Sequence, residues 1–159
     1  MSRFAVLSAL AFLCAAQAHA AATSCPRTNT IEMNQCEGDA LAQDEATHQK
    51  YAKAVLAFLQ KQITETKDDD TLKVLKESQK AFQHLETAWK AYRDAECRAV
   101  FTNWQQGTLR VMMQLGCDRC LTRQRTYTIW QNWLTFQDST PPVSPRPETD
   151  LPGDNTRSR

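Results

Sequence analysis

From Arg27 to Thr140 the chain has no proline, and only Gly38, Gly107 and Gly116 offer the backbone freedom that tight turns use. A fold of many short strands needs turn residues every few positions, so this stretch has to be built from long helices. The candidate inward positions keep helical spacing. Ala40, Thr47, Tyr51, Val55 and Phe58 recur at steps of three, four or seven. A second stripe runs through Leu72, Leu75, Phe82, Leu85, Trp89, Tyr92, Val100 and Trp104, and a third joins Leu109, Met112 and Met113 to Ile129, Trp130, Trp133 and Leu134.

Charges agree with this pattern. Glu32, Glu37, Asp39, Asp44 and Glu45 lead the first segment and Lys50, Lys53 and Lys61 close it, an order that suits the helix dipole in the terminal turns. Asn29 with Glu32 three residues on reads as a capping box, and Asp68-Asp69-Asp70 supplies the cap of a second helix. The expected elements are helices over about 29–63, 69–104 and 109–136, with turns near Glu65 and Gly107. Short turns make consecutive helices antiparallel neighbours, so the fold class is an all-α antiparallel bundle.

Both ends differ from this middle. Arg3, an apolar run from Phe4 to Ala16, and Ala18-His19-Ala20 follow the order of a cleaved signal peptide, and the run is too short to span a bilayer. Cleavage is expected after Ala20, with Ala22 the alternative site. Without Arg3 the 19 basic residues become 18, equal to the 18 acidic ones, and a zero net charge argues against a nucleic-acid partner. From Asp138 onward Pro141, Pro142, Pro145, Pro147 and Pro152 stand among few apolar residues, the composition of a disordered tail. The expected division is therefore signal peptide 1–20, helical domain 21–137 and proline-rich tail 138–159, in a protein exported to the periplasm or beyond the cell.

Five cysteines remain after cleavage: Cys25, Cys36, Cys97, Cys117 and Cys120. In an exported chain most are expected to be oxidised. Cys97 lies ten residues before Gly107 and Cys117 ten after, so a helical hairpin brings them level. Eleven residues of continuous helix would hold Cys25 and Cys36 about 16 Å apart, so a Cys25–Cys36 bond requires Cys25-Pro26 to fold back as a non-helical arm. Cys25–Cys36 with Cys97–Cys117 is the favoured pairing, Cys36–Cys97 is its rival, and all the cysteines gather at one pole. Cys117-Asp118-Arg119-Cys120 has the spacing of a redox pair, but no alternating strand pattern precedes it. Leu121 stands where haem attachment needs histidine, and His48 and His84 lack metal-ligand spacing, so no cofactor or metal is expected.

Trp89-Lys90-Ala91-Tyr92-Arg93-Asp94-Ala95-Glu96-Cys97 resembles the W-x-x-Y/F-R-D-A-x-C signature of the lysozyme inhibitor LprI-type N-terminal domain family. Glu32-Met33-Asn34-Gln35-Cys36 is similar to that family's E-M-N-x-C opening, Gly107-Thr108 to its Gly-Ser, and Cys117, Leu121, Thr122 and Arg125 to its closing C-x-x-x-L-T-x-x-R. The resemblance runs from Cys25 to Trp133. It departs at Thr47-His48, Phe82, Glu86 and the extra Cys120. It implies a small exported helical domain that binds a protein. The signature residues Trp89, Tyr92, Arg93, Asp94, Cys97, Thr122 and Arg125 read as structural, with Trp89, Tyr92 and Cys97 facing inward and Arg93 or Arg125 paired with Asp94, Glu96 or Asp44.

Catalysis needs a nucleophile, a base and a group that orients them. Ser78 lies mid-helix with no histidine in pattern, and Asp94 and Glu96 point to different helix faces, so no enzyme is expected. The function read from these residues is a non-enzymatic binding protein whose partner they do not name. The alternative implied by the resemblance is inhibition of lysozyme or another cell-wall hydrolase by occluding its cleft, immunity proteins included. Lysozymes are usually cationic, which makes Glu37, Asp39 and Glu45 the candidate partner-facing residues.

Overall fold

The computed structural model describes Cys25 and residues 29–148. The expected signal peptide and the last residues of the tail lie outside these. Three helices follow in order: α1 (Thr30–Glu65), α2 (Asp69–Asn103) and α3 (Arg110–Trp133). Each of the first two starts at a side-chain cap. Asn29 Oδ1 accepts from the Glu32 amide at 2.9 Å, and the Asp68 carboxylate accepts from the Thr71 amide at 2.8 Å. These bonds satisfy donors that a helix start otherwise leaves orphaned.

Cross-helix partners give the directions. Gln60 meets Gln79 and Glu45 meets Arg93, so α1 and α2 are antiparallel. Glu86 meets Arg125 and Cys97 meets Cys117, so α2 and α3 are antiparallel too. Helices α1 and α3 therefore run parallel, with Glu37 and Asp44 against Arg119 and Arg123.

The bundle is layered along its length. At the α1–α2 turn end, Tyr51, Val55, Leu59, Phe82, Ile129 and Leu134 form the apolar core, and Trp133 sets its ring edge against Phe82 at 4.9 Å. Near the middle the buried residues turn polar: Arg93, Asp118, Thr122 and Thr126. The other pole carries the two disulfides, Cys25–Cys36 and Cys97–Cys117, with Cys120 free and exposed. Cross-links stand where apolar burial is thinnest.

Between α2 and α3 the chain reverses over Trp104–Leu109. Gln105 takes a left-handed conformation (φ 44°), and the Gly107 amide donates back to Trp104 O at 2.9 Å. A Cβ at Gly107 would stand 3.1 Å from that same carbonyl oxygen, which is why glycine suits this position.

After α3 the structure departs from the expected tail. Up to Glu148 the chain is laid against α1 and α3. The Val143 amide donates to Leu134 O at 2.8 Å, Phe136 sets its ring against Phe58, and Pro147 is buried. Few apolar side chains suffice to order it, because the preset φ of proline lowers the entropy lost on ordering.

Candidate functional site

Of the signature residues, Trp89, Arg93, Asp94, Thr122 and Arg125 lie in the polar middle layer, organised by Arg93. Its guanidinium donates to Glu45 Oε1 at 2.8 Å, to Asp94 Oδ1 at 3.1 Å and to the Thr122 hydroxyl at 3.2 Å, and it lies 5.3 Å from the Trp89 ring centroid. Burial pulls its pKa down, but Asp94 and Glu45 more than reverse this and hold it above the ordinary value. Asp118 sits on the other side, 3.7 Å from Arg93 Nε. Burial dominates there and raises the Asp118 carboxyl, because Arg93 spends its N–H groups on Glu45, Asp94 and Thr122.

A second cluster joins the same helices. Arg125 donates to Glu86 Oε1 at 2.6 Å, and His48 Nε2 lies 3.0 Å from Glu86 Oε2. The His48 ring stacks on Trp89 with centroids 4.6 Å apart. Burial raises the Glu86 carboxyl, but the His48 and Arg125 contacts outweigh it and leave the pKa below the usual carboxylate value.

Several expected placements change. Arg125 pairs with Glu86, whereas Asp44 is held by Arg119 at 3.0 Å and Arg123 at 2.9 Å. Of the partners expected for Arg93, Asp94 is one, Glu96 stays exposed, and Glu45 joins from α1. Tyr92 does not face inward: it is 54% exposed. The inward line of α2 runs through Phe82, Glu86, Arg93 and Cys97, and Tyr92 lies one residue, about 100° around the helix, from Arg93. Trp89 is half-buried and Cys97 fully buried.

The acidic start of α1 is only partly solvent-facing. Glu37 is hydrogen-bonded to Arg119 and Glu45 to Arg93, which leaves Asp39 as the exposed member of the three. One helix carrying so many carboxylates is neutralised by arginines from its neighbours. Spacing within α1 gave no sign of this, since the partners lie 48 and 82 residues away.

A continuous part of the accessible apolar surface lies at the disulfide pole. A groove of about 920 Å³ there is lined by Met33, Val100, Leu109, Met112 and Met113, with the Glu37–Arg119 pair at its edge and Cys25 and Cys117 in its wall. Around this pole Ile31 is 80% and Trp104 42% exposed, and Leu109 and Val111 are open to solvent as well. Methionines adapt their shape to a partner, and exposed apolar patches of this kind mark interaction sites. The sequence stripes had placed Trp104, Leu109, Met112 and Met113 inside; they sit where the helices end, beyond the reach of the core. No group of three metal-ligating side chains occurs among the described residues, and none of their helices is long and apolar enough to cross a membrane.

Fold and site together define a small disulfide-stapled helical domain that presents an adaptable apolar pole. The chain belongs to the lysozyme inhibitor LprI family, whose model matches residues 14–129, a span that ends before the segment laid over α1 and α3. No curated protein and no solved structure matches it.

Proposed function

We propose that this chain is an exported, non-enzymatic binding protein that inhibits a lysozyme-type cell-wall hydrolase by occluding its sugar cleft. Family membership supports the partner class, and two disulfides suit the oxidising compartment in which such a partner works. The observation that carries the mode of action is the α2–α3 turn. Trp104 stands exposed on a reversal that is bent through the left-handed Gln105 and tied at its base by Cys97–Cys117. An indole offers the flat apolar face that sugar subsites accept, and the amides of Gln105 and Gln106 can take over hydrogen bonds meant for sugar hydroxyls. Holding the turn rigid before contact reduces the ordering cost of binding.

Lysis of a cell-wall suspension by lysozyme tests both parts. Wild-type protein in micromolar excess should slow lysis, and Trp104→Ala should weaken inhibition at least tenfold, in line with an aromatic anchor, without lowering the melting temperature by more than about 2 °C. Absence of inhibition by the wild type would leave a binding module whose partner must be sought by pull-down from periplasmic extract. Equal potency of wild type and Trp104→Ala would keep inhibition and remove the turn from it.

A further inference from the structure

The segment after α3 meets the bundle as a ligand meets a receptor. Four of the chain's six prolines, Pro141, Pro142, Pro145 and Pro147, fall within it. Proline has no N–H to donate, so such a stretch offers a partner mainly its carbonyl oxygens and its ring faces. Both are met here. Tyr51 Oη on α1 donates to Pro145 O at 2.7 Å, and Trp130 Nε1 on α3 donates to the adjacent Ser144 O at 3.0 Å. Between the two prolines, the Arg146 guanidinium lies 5.1 Å from the Tyr127 ring centroid and 5.8 Å from that of Trp130. Pro147 beyond it is buried. Aromatic faces flanked by hydroxyl and indole donors are what holds a polyproline segment in a groove, because the segment arrives stiff and rich in acceptors.

We propose that the α1–α3 face of Tyr51, Tyr127 and Trp130 is a binding site for a proline-x-proline peptide, with this chain's own Ser144–Pro147 as its resident ligand. The site lies in the opposite half of the bundle from the disulfide pole and does not depend on the inhibitor reading. Stacking of Arg146 on two rings favours a basic residue between the prolines. A tethered ligand acts at an effective concentration in the millimolar range, so a proline segment from outside gains the site only when the resident one is weakened.

The test uses the full chain carrying Arg146→Ala and Pro147→Gly, with a synthetic peptide of residues 141–148 as probe and tryptophan emission as readout. The peptide should bind this variant saturably and at least tenfold more tightly than it binds wild type. Adding Tyr51→Phe, which keeps the ring and removes one donor, should weaken binding roughly fivefold. Failure of the variant to bind while its helical circular dichroism is native would overturn the proposal. So would equal binding of a peptide with alanine at both Pro145 and Pro147. A measurement that needs no outside peptide is solvent exchange of the Trp130 indole proton in the otherwise wild-type chain. It should be slow there and several-fold faster in Tyr51→Phe; equal rates would overturn the site.

Discussion

Two largely buried carboxylates in the middle layer respond to pH with opposite sign. The pKa of Glu86 is lowered, since its contacts to His48 and Arg125 outweigh burial, so its contribution to stability is full above its ordinary value of 4.5 and is lost as pH falls through the lowered one. Asp118 is raised by burial, so the folded chain holds its proton more tightly, and stability falls as pH climbs from 3.8 through the raised value. Glu86→Gln should therefore cost about 2–3 kcal/mol at pH 7, as expected for breaking a largely buried pair, and the deficit should close as pH falls through the lowered value. Asp118→Asn should raise the melting temperature at pH 7 by about 1–3 °C, with the gain vanishing in strong acid. Thermal melts by circular dichroism between pH 3 and 7 check both. A loss of several degrees in Asp118→Asn would mean that its attraction to Arg93 outweighs its burial.

At the scale of elements, α2 and α3 are joined at one end by packing and at the other by a covalent link. Phe82 and Trp133 meet in the apolar core, whereas beyond the arginine layer the two helices are tied by Cys97–Cys117. That bond closes a sequence separation of 20 residues, and closing a loop of this size stabilises by about 3 kcal/mol in the chain-entropy account. Cys97→Ser with Cys117→Ser should lose about that much in denaturant melts. Because the bond also sets the base of the Trp104 turn, inhibition should fall more in this variant than in Cys25→Ser with Cys36→Ser. Equal loss of inhibition in the two would detach the turn from the disulfide beneath it.

For the whole molecule, balance of charge is achieved across helices. The carboxylates of α1 answer the arginines of α2 and α3, so under the proposed function a partner would be held by the apolar pole more than by charge. Asp39→Lys should change stability by less than about 0.5 kcal/mol. Glu37→Lys should cost about 2–3 kcal/mol, because it sets a lysine against an arginine whose side chain is largely buried, and Glu45→Lys about 1 kcal/mol, because that carboxylate is 40% exposed and screened. Urea melts of the three single variants separate these cases, and a harmless Glu45→Lys would show the Arg93 pair to be of little energetic consequence.

What the sequence determined by itself is local. The absence of proline from Arg27 to Thr140, the stripe spacing, and the caps at Asn29 and Asp68 act within a few residues, and they were enough to give three helices with their turns near Glu65 and Gly107. The resemblance carried by Trp89–Cys97 was legible for the same reason, as a fixed pattern on one helix. Tertiary structure decided everything that depends on what lies across the bundle. It chose Glu86 for Arg125 and Glu45 for Arg93, turned Tyr92 outward, and paired Glu37 and Glu45 with arginines of other helices. It also opened the methionine groove where the helices outrun the core, and laid Ser144–Pro147 on Tyr51 and Trp130. Helix periodicity says which residues share a face, but the partner of that face is fixed only when distant segments meet. A charge or a proline therefore acquires its role from neighbours that lie tens of residues away along the chain.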